Sequence, residues 1–157
     1  MTARLRPSRA TAAFALVLAL MFPSVSLSQH QRGLTGPMIG FHYGAPLKWS
    51  AVLAIPLPGG SDAGGSFVAA EPGIGGWRTS VGYLRIMGDL GSGYAARVSL
   101  LHTGNRAWRA PPGTTYVGGE LQYMPLFVLG IRFGAFGRIK GAGQRRGLLT
   151  ADLSLML

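Results

Sequence analysis

The feature that most constrains this chain is its last ten residues, 148–157. Leu149, Ala151, Leu153, Leu155 and Leu157 alternate without interruption against Thr150, Asp152, Ser154 and Met156. Successive side chains of an extended chain point to opposite faces, so this segment has one wholly apolar face and one mostly polar face. It predicts a strand.

The opposite end carries a different signal. Arg4, Arg6 and Arg9 precede the apolar run 12–22, Pro23 follows it, and Ser26, Leu27 and Ser28 stand at the usual cleavage spacing. This pattern predicts a secretory signal peptide over 1–28 and a mature chain, 29–157, beginning at Gln29. The apolar run falls well short of the roughly 20 residues that a membrane-spanning helix needs, which argues against an anchor.

Composition narrows the mature chain. Twenty-five glycines and ten prolines, with few runs of strong helix formers, argue against a helical protein. With no cysteine there are no disulfides and no thiolate metal sites. Losing three of fifteen basic residues with the signal leaves twelve against five acidic ones, a net charge of +7. An exported chain with that excess meets lipopolysaccharide phosphates before it meets nucleic acid.

Between the signal and the last strand the sequence reads as short alternating segments parted by turn residues. In the first, Ile39, Phe41 and Tyr43 oppose Met38, Gly40 and His42; the second, 48–57, sets Trp49, Ala51, Leu53, Ile55 and Leu57 on one face. The third, from Phe67 to about Gly75, is interrupted by Pro72 and glycines, and proline sits mainly at edges or bulges. The fourth, fifth and sixth span 77–87, 94–103 and 114–124, with Pro125 expected to mark a very short turn before a seventh over 126 to about 138. These make eight strands of about the ten residues that a tilted membrane-crossing strand requires. With the C-terminus taken as periplasmic, connections 58–65, 88–93 and the Pro125 turn lie on that side, and 44–47, 73–76, 104–113 and 139–146 lie outside.

Which face is apolar decides between a soluble barrel and a membrane barrel. In the later strands Tyr83, Tyr94, Tyr123, Phe127 and Phe133 lie on one face, while Arg78, Arg97, Glu120, Gln122, Arg132 and Asp152 lie on the other. Symmetric pairing about the intervening loops puts Arg97 opposite Glu120 and Arg132 opposite Asp152, with Arg132 about one rung from Glu120. Eight strands enclose a space just wide enough for side chains, so an interleaved Arg–Glu–Arg–Asp ladder would fill it. The competing reading is a set of solvated surface charges on an open sheet.

With its signal peptide, alternating strands, aromatic residues near strand ends and the terminal strand 148–157, the mature chain resembles the small eight-stranded outer-membrane β-barrel proteins of Gram-negative bacteria. The family's terminal residue is normally aromatic, whereas this chain ends in Leu157. The resemblance implies an all-β fold, an eight-stranded antiparallel transmembrane barrel in the cell outer membrane. It also implies contact with outer-membrane lipid, lipopolysaccharide and the outer-membrane insertion machinery. The expected role is non-catalytic, structural or interacting at the cell surface, without cofactor or nucleic acid.

Two alternatives are carried beside it. A lipid A-modifying, deacylase-like enzyme would need a serine and a histidine together on one face with an acid behind them. Ser99 and His102 are three apart and so face opposite sides, while His42 lies on the polar face where Asp152 is the candidate partner. The other alternative is a soluble exported barrel holding a small apolar ligand. The glycines of 73–76 lack the following helix of a phosphate loop, and three scattered histidines make no metal site.

The outer loops are basic. Arg106, Trp108 and Arg109 share one, and Arg138, Lys140, Arg145 and Arg146 flank or occupy the other, with no acidic residue in either. Arginine binds phosphate bidentately and tryptophan favours the interface, so these seven residues are the expected lipopolysaccharide contacts.

Overall fold

The period-two pattern is realised as eight antiparallel strands: β1 (Met38–Gly44), β2 (Lys48–Pro56), β3 (Gly64–Gly73), β4 (Gly76–Met87), β5 (Ser92–Thr103), β6 (Thr115–Leu126), β7 (Leu129–Lys140) and β8 (Gly147–Met156). A computed structural model describes residues 36–61, 63–87, 91–126, 128–141 and 146–156. The predicted signal peptide and Gln29 lie outside the described residues, as do Phe127, Arg145 and Leu157. Each strand pairs with its sequence neighbours and β1 pairs with β8, closing the barrel. Closure leaves no free sheet edge running the length of the wall.

Three boundaries differ from the sequence reading. Strand β3 begins at Gly64 and ends at Gly73, because Pro72 needs no N–H on the ladder and is tolerated near the strand's end. Pro125 lies inside β6, where the register shifts between Tyr123 and Leu126, so the turn comes after Leu126, which pairs with Leu129. A bulge absorbs the missing donor. Strand β7 runs on to Lys140, which puts Arg138 and Lys140 on the strand and shortens the connection that follows.

Call the end where β1 starts and β8 finishes the terminal end, and the opposite end distal. The distal mouth is covered by three connections bonded to one another: Gly75 N donates to Leu47 O, Gly104 N to Gly75 O, and Trp108 N to Pro46 O. The approach is close enough that a Cβ on Gly75 would stand 2.2 Å from Pro46 O. Glycine is required there.

Two apolar clusters fill the ends of the interior. Val52, Ala54, Phe67, Ala69, Leu84, Ala95 and Met124 pack at the terminal end, and Leu47, Leu101, Tyr116 and Phe136 at the distal end. Between them lies a polar layer.

Candidate functional site

The outer wall is the apolar face. Val81, Val98, Val117, Leu121, Phe133, Leu149 and Leu153 are all exposed on it, Leu149 at 81%. Aromatic residues mark both ends of this wall. Tyr43 and Trp49 sit with ring centroids 4.7 Å apart, Trp108 lies 6.4 Å from Tyr43, and Trp77 stacks on His102 at 5.6 Å, all toward the distal end. Tyr94 pairs with Tyr123 toward the terminal end, one rung from Tyr83.

The inner face holds all the described carboxylates, Glu71, Glu120 and Asp152, together with Arg78, Arg97 and Arg132, every one of them buried. Three cations and three anions make the layer neutral when His42 is uncharged. Arg132 is its hub. Its Nη1 and Nη2 donate to Glu71 at 2.7 and 2.9 Å, while Nε and Nη2 donate to Asp152 Oδ2 at 2.9 and 2.8 Å. The planar guanidinium thus binds one carboxylate with two donors and a second with two, a geometry lysine cannot reproduce. Arg78 Nη1 lies 2.8 Å from Glu120 Oε1, 3.2 Å from Asp152 Oδ2 and 3.6 Å from Glu71 Oε2.

Arg97 stands opposite Glu120 in register and Arg132 opposite Asp152. The side chains follow that register only in part. Arg97 donates to Gln122 Oε1 and lies 5.3 Å over the Phe67 ring, whereas Glu120 accepts from Ser99 and meets Arg78. Arg132 keeps both of its expected acids, Asp152 and, with Nε 3.5 Å from Oε1, Glu120, and the ladder is widened into a network that crosses the barrel. The cause is interior width: an arginine reaches the opposite wall as easily as the adjacent strand.

Glu71 is the member that the sequence reading missed. It sits on β3 on the same face as Phe67 and Ala69, and it gathers Arg132, Arg78, Ser50 and His42. The alternation Phe67, Ala69, Glu71 was the available signal. His42 approaches Glu71, with Nδ1 3.1 Å from Oε1, and not Asp152. Ser50 Oγ also donates to Glu71, at 2.6 Å, so the serine is bonded to the acid and not to the imidazole. That arrangement does not activate a serine nucleophile, for which the imidazole must take the hydroxyl proton. Ser99 is buried inside while His102 stacks outside on Trp77 and bonds Thr115.

The interior cavity beside His42, Arg97 and the terminal cluster holds about 20 Å3. Ligand pockets occupy roughly 300 to 1,000 Å3, so this space takes a water and not an apolar ligand. Among the described residues no three His, Cys, Asp or Glu side chains converge as metal ligands.

The predicted lipopolysaccharide contacts divide by position. Arg106, Trp108 and Arg109 lie in the 104–114 connection, with the Arg109 guanidinium 4.9 Å over the Trp108 ring. Arg138 is half-buried on β7, its N–H donating to Arg146 O; Lys140 and Arg146 are exposed, and Arg145 is outside the described residues. Those of them that are described lie at the distal end, where no described acidic side chain is exposed.

No family model, curated protein or solved structure matches this chain. The fold and the site together define a class: a closed eight-stranded antiparallel barrel whose polarity is inverted, ionic inside and apolar outside.

Proposed function

We propose that this is a small integral outer-membrane barrel without catalytic activity, with a structural or cell-surface role and a basic distal end that engages lipopolysaccharide. The observation that carries this reading is the inverted polarity. Large hydrophobic side chains are exposed around the wall while every described carboxylate is buried within it. In water such a wall would far exceed the apolar patches that monomers expose; in hydrocarbon it is the preferred surface.

The spacing of the aromatic residues supports the same reading. On β4, Trp77 stands eight residues from Arg85, the cross-strand partner of Tyr94, which at 3.3 Å per residue and a tilt of ~40° gives roughly 20 Å of height between the two aromatic levels, near the apolar band of known membrane barrels. Closure satisfies the backbone internally along most of the wall, as hydrocarbon demands.

Detergent extraction of the membrane fraction, followed by electrophoresis of heated and unheated samples, tests this. The expected result is extraction only with detergent and a heat-dependent shift in mobility. A product recovered in the soluble periplasmic fraction would overturn it.

A further inference from the structure

Strand β8 has two edges, and only one is fully covered. On the β7 side its pairing runs from Gly147 opposite Gly137 to Leu155 opposite Leu129. On the β1 side it runs only from Met156 opposite Gly40 to Asp152 opposite Gly44, because β1 ends at Gly44. Among the described residues, 147–151 therefore have no strand on that side.

The open groups can be assigned. In an antiparallel pair alternate residues bond to alternate neighbours. Arg146 O accepts from Arg138 N and Met156 N donates to Val128 O, both toward β7. The even-numbered residues of this strand thus face β7, and Gly147 and Leu149 turn their N–H and C=O to the open side. Ala151 closes the gap, its carbonyl so near Gly44 that a Cβ there would stand 2.3 Å away.

A groove of about 600 Å3 follows this open edge. Phe133, Leu149 and Ala151 give it an apolar floor, Ala45 and Trp108 line the far side, and Arg109 stands with Trp108 at the rim. Toward the distal end the sequence of surfaces is apolar floor, hydrogen-bonding edge, then cations, since the exposed Arg146 directly precedes Gly147.

We propose that this seam seats one phosphorylated acyl lipid. The chain lies on Phe133, Leu149 and Ala151, its ester or amide linkage meets the open edge of Gly147 and Leu149, and its phosphate meets Arg109. The proposal rests on the wall facing lipid. Gly147 and Leu149 lie at the distal margin of the apolar wall, beside Arg146, where the linkage between acyl chain and headgroup falls, and its carbonyl can accept from their open N–H groups. Charge favours an anionic lipid over a peptide strand, because Arg106, Arg109 and Arg146 are exposed at this end and no described carboxylate opposes them.

The test uses the full chain in phosphatidylcholine vesicles, with heat-dependent mobility confirming that each variant is folded. Trp49→Phe with Trp77→Phe leaves Trp108 as reporter; Trp49→Phe with Trp108→Phe leaves Trp77 as a wall control. Brominated phosphatidic acid should quench Trp108 with an association about fivefold above that of brominated phosphatidylcholine, the size expected for one arginine at an anionic interface. Arg109→Gln should bring the two lipids level, and Trp77 should be quenched equally by both. Quenching of Trp77 with no headgroup preference at Trp108 would overturn the lipid seat alone. Absence of quenching at both tryptophans would overturn the membrane reading and the seat with it. If Trp108 shows no preference while amide exchange at 147–151 slows with protein concentration, the edge belongs to a second copy, and the lipid assignment is wrong.

Discussion

Arginine meets two opposite fates in this barrel. Arg78, Arg97 and Arg132 are buried among the described carboxylates, whereas Arg106, Arg109 and Arg146 stand exposed at the distal end with no described acid near them. The residue type is the same, and strand phase makes the difference. An arginine in the even phase of β7 or β4 is carried inward and must be paired, since an isolated buried charge costs several kcal/mol. One in a connection keeps its water and remains available to an anion. The inner set therefore bears on stability and the outer set on binding.

The largest expected effect is at the hub. Arg132→Ala removes the donors to Glu71 and Asp152 and leaves both acids buried, so it should cost about 3 to 5 kcal/mol. Urea midpoints in lipid measure this, and an unchanged midpoint would mean that the interior is hydrated and the two sets of arginines are energetically alike. Glu120→Ala should come next. It strips the acceptor from Ser99 and the nearest acid from Arg78, at about 3 kcal/mol, whereas Thr115→Ala loses only a half-exposed bond to His102, at about 1 kcal/mol. Equal midpoints for Glu120→Ala and Thr115→Ala would erase the distinction between inside and outside.

The smallest stability effect belongs to the rim. Glutamine at Arg106, Arg109, Arg145 and Arg146 should leave the midpoint within about 0.5 kcal/mol, as surface changes do. The same variant should retain less lipopolysaccharide on purification, and the binding that remains should depend less on salt, since fewer charges are left to screen. Unchanged lipid retention with unchanged salt dependence would reduce the rim to ordinary solvated charge.

The barrel was legible because period-two alternation survives in seven of the segments and a hairpin's register follows from symmetry about its loop. That is how Arg97 came to face Glu120 and Arg132 to face Asp152. What a hairpin does not encode is reach across the interior. Arg132 and Glu71 are 61 residues apart, and Arg78 and Asp152 are 74 apart. Such pairs depend on the tilt and stagger of the whole barrel, which no single segment carries. Glu71 was hidden for a local reason as well, since Pro72 and the glycines around it weaken the strand signal that would have given its phase. Pro125 misled in the opposite way. It signals a turn in isolation, yet the bulge between Tyr123 and Leu126 accommodates it within β6.

The ionic layer also bears on how the chain reaches its native state. Its members come from β3, β4, β5, β6, β7 and β8, and one of the three acids, Asp152, arrives only with the last strand. A sheet with β8 undocked holds three arginines against two carboxylates and leaves Arg132 with half its donors unused. Such a sheet is penalised until the final pairing forms, because the long-range contacts that reward closure come together with it. The layer therefore couples docking of β8 to neutralisation of the interior.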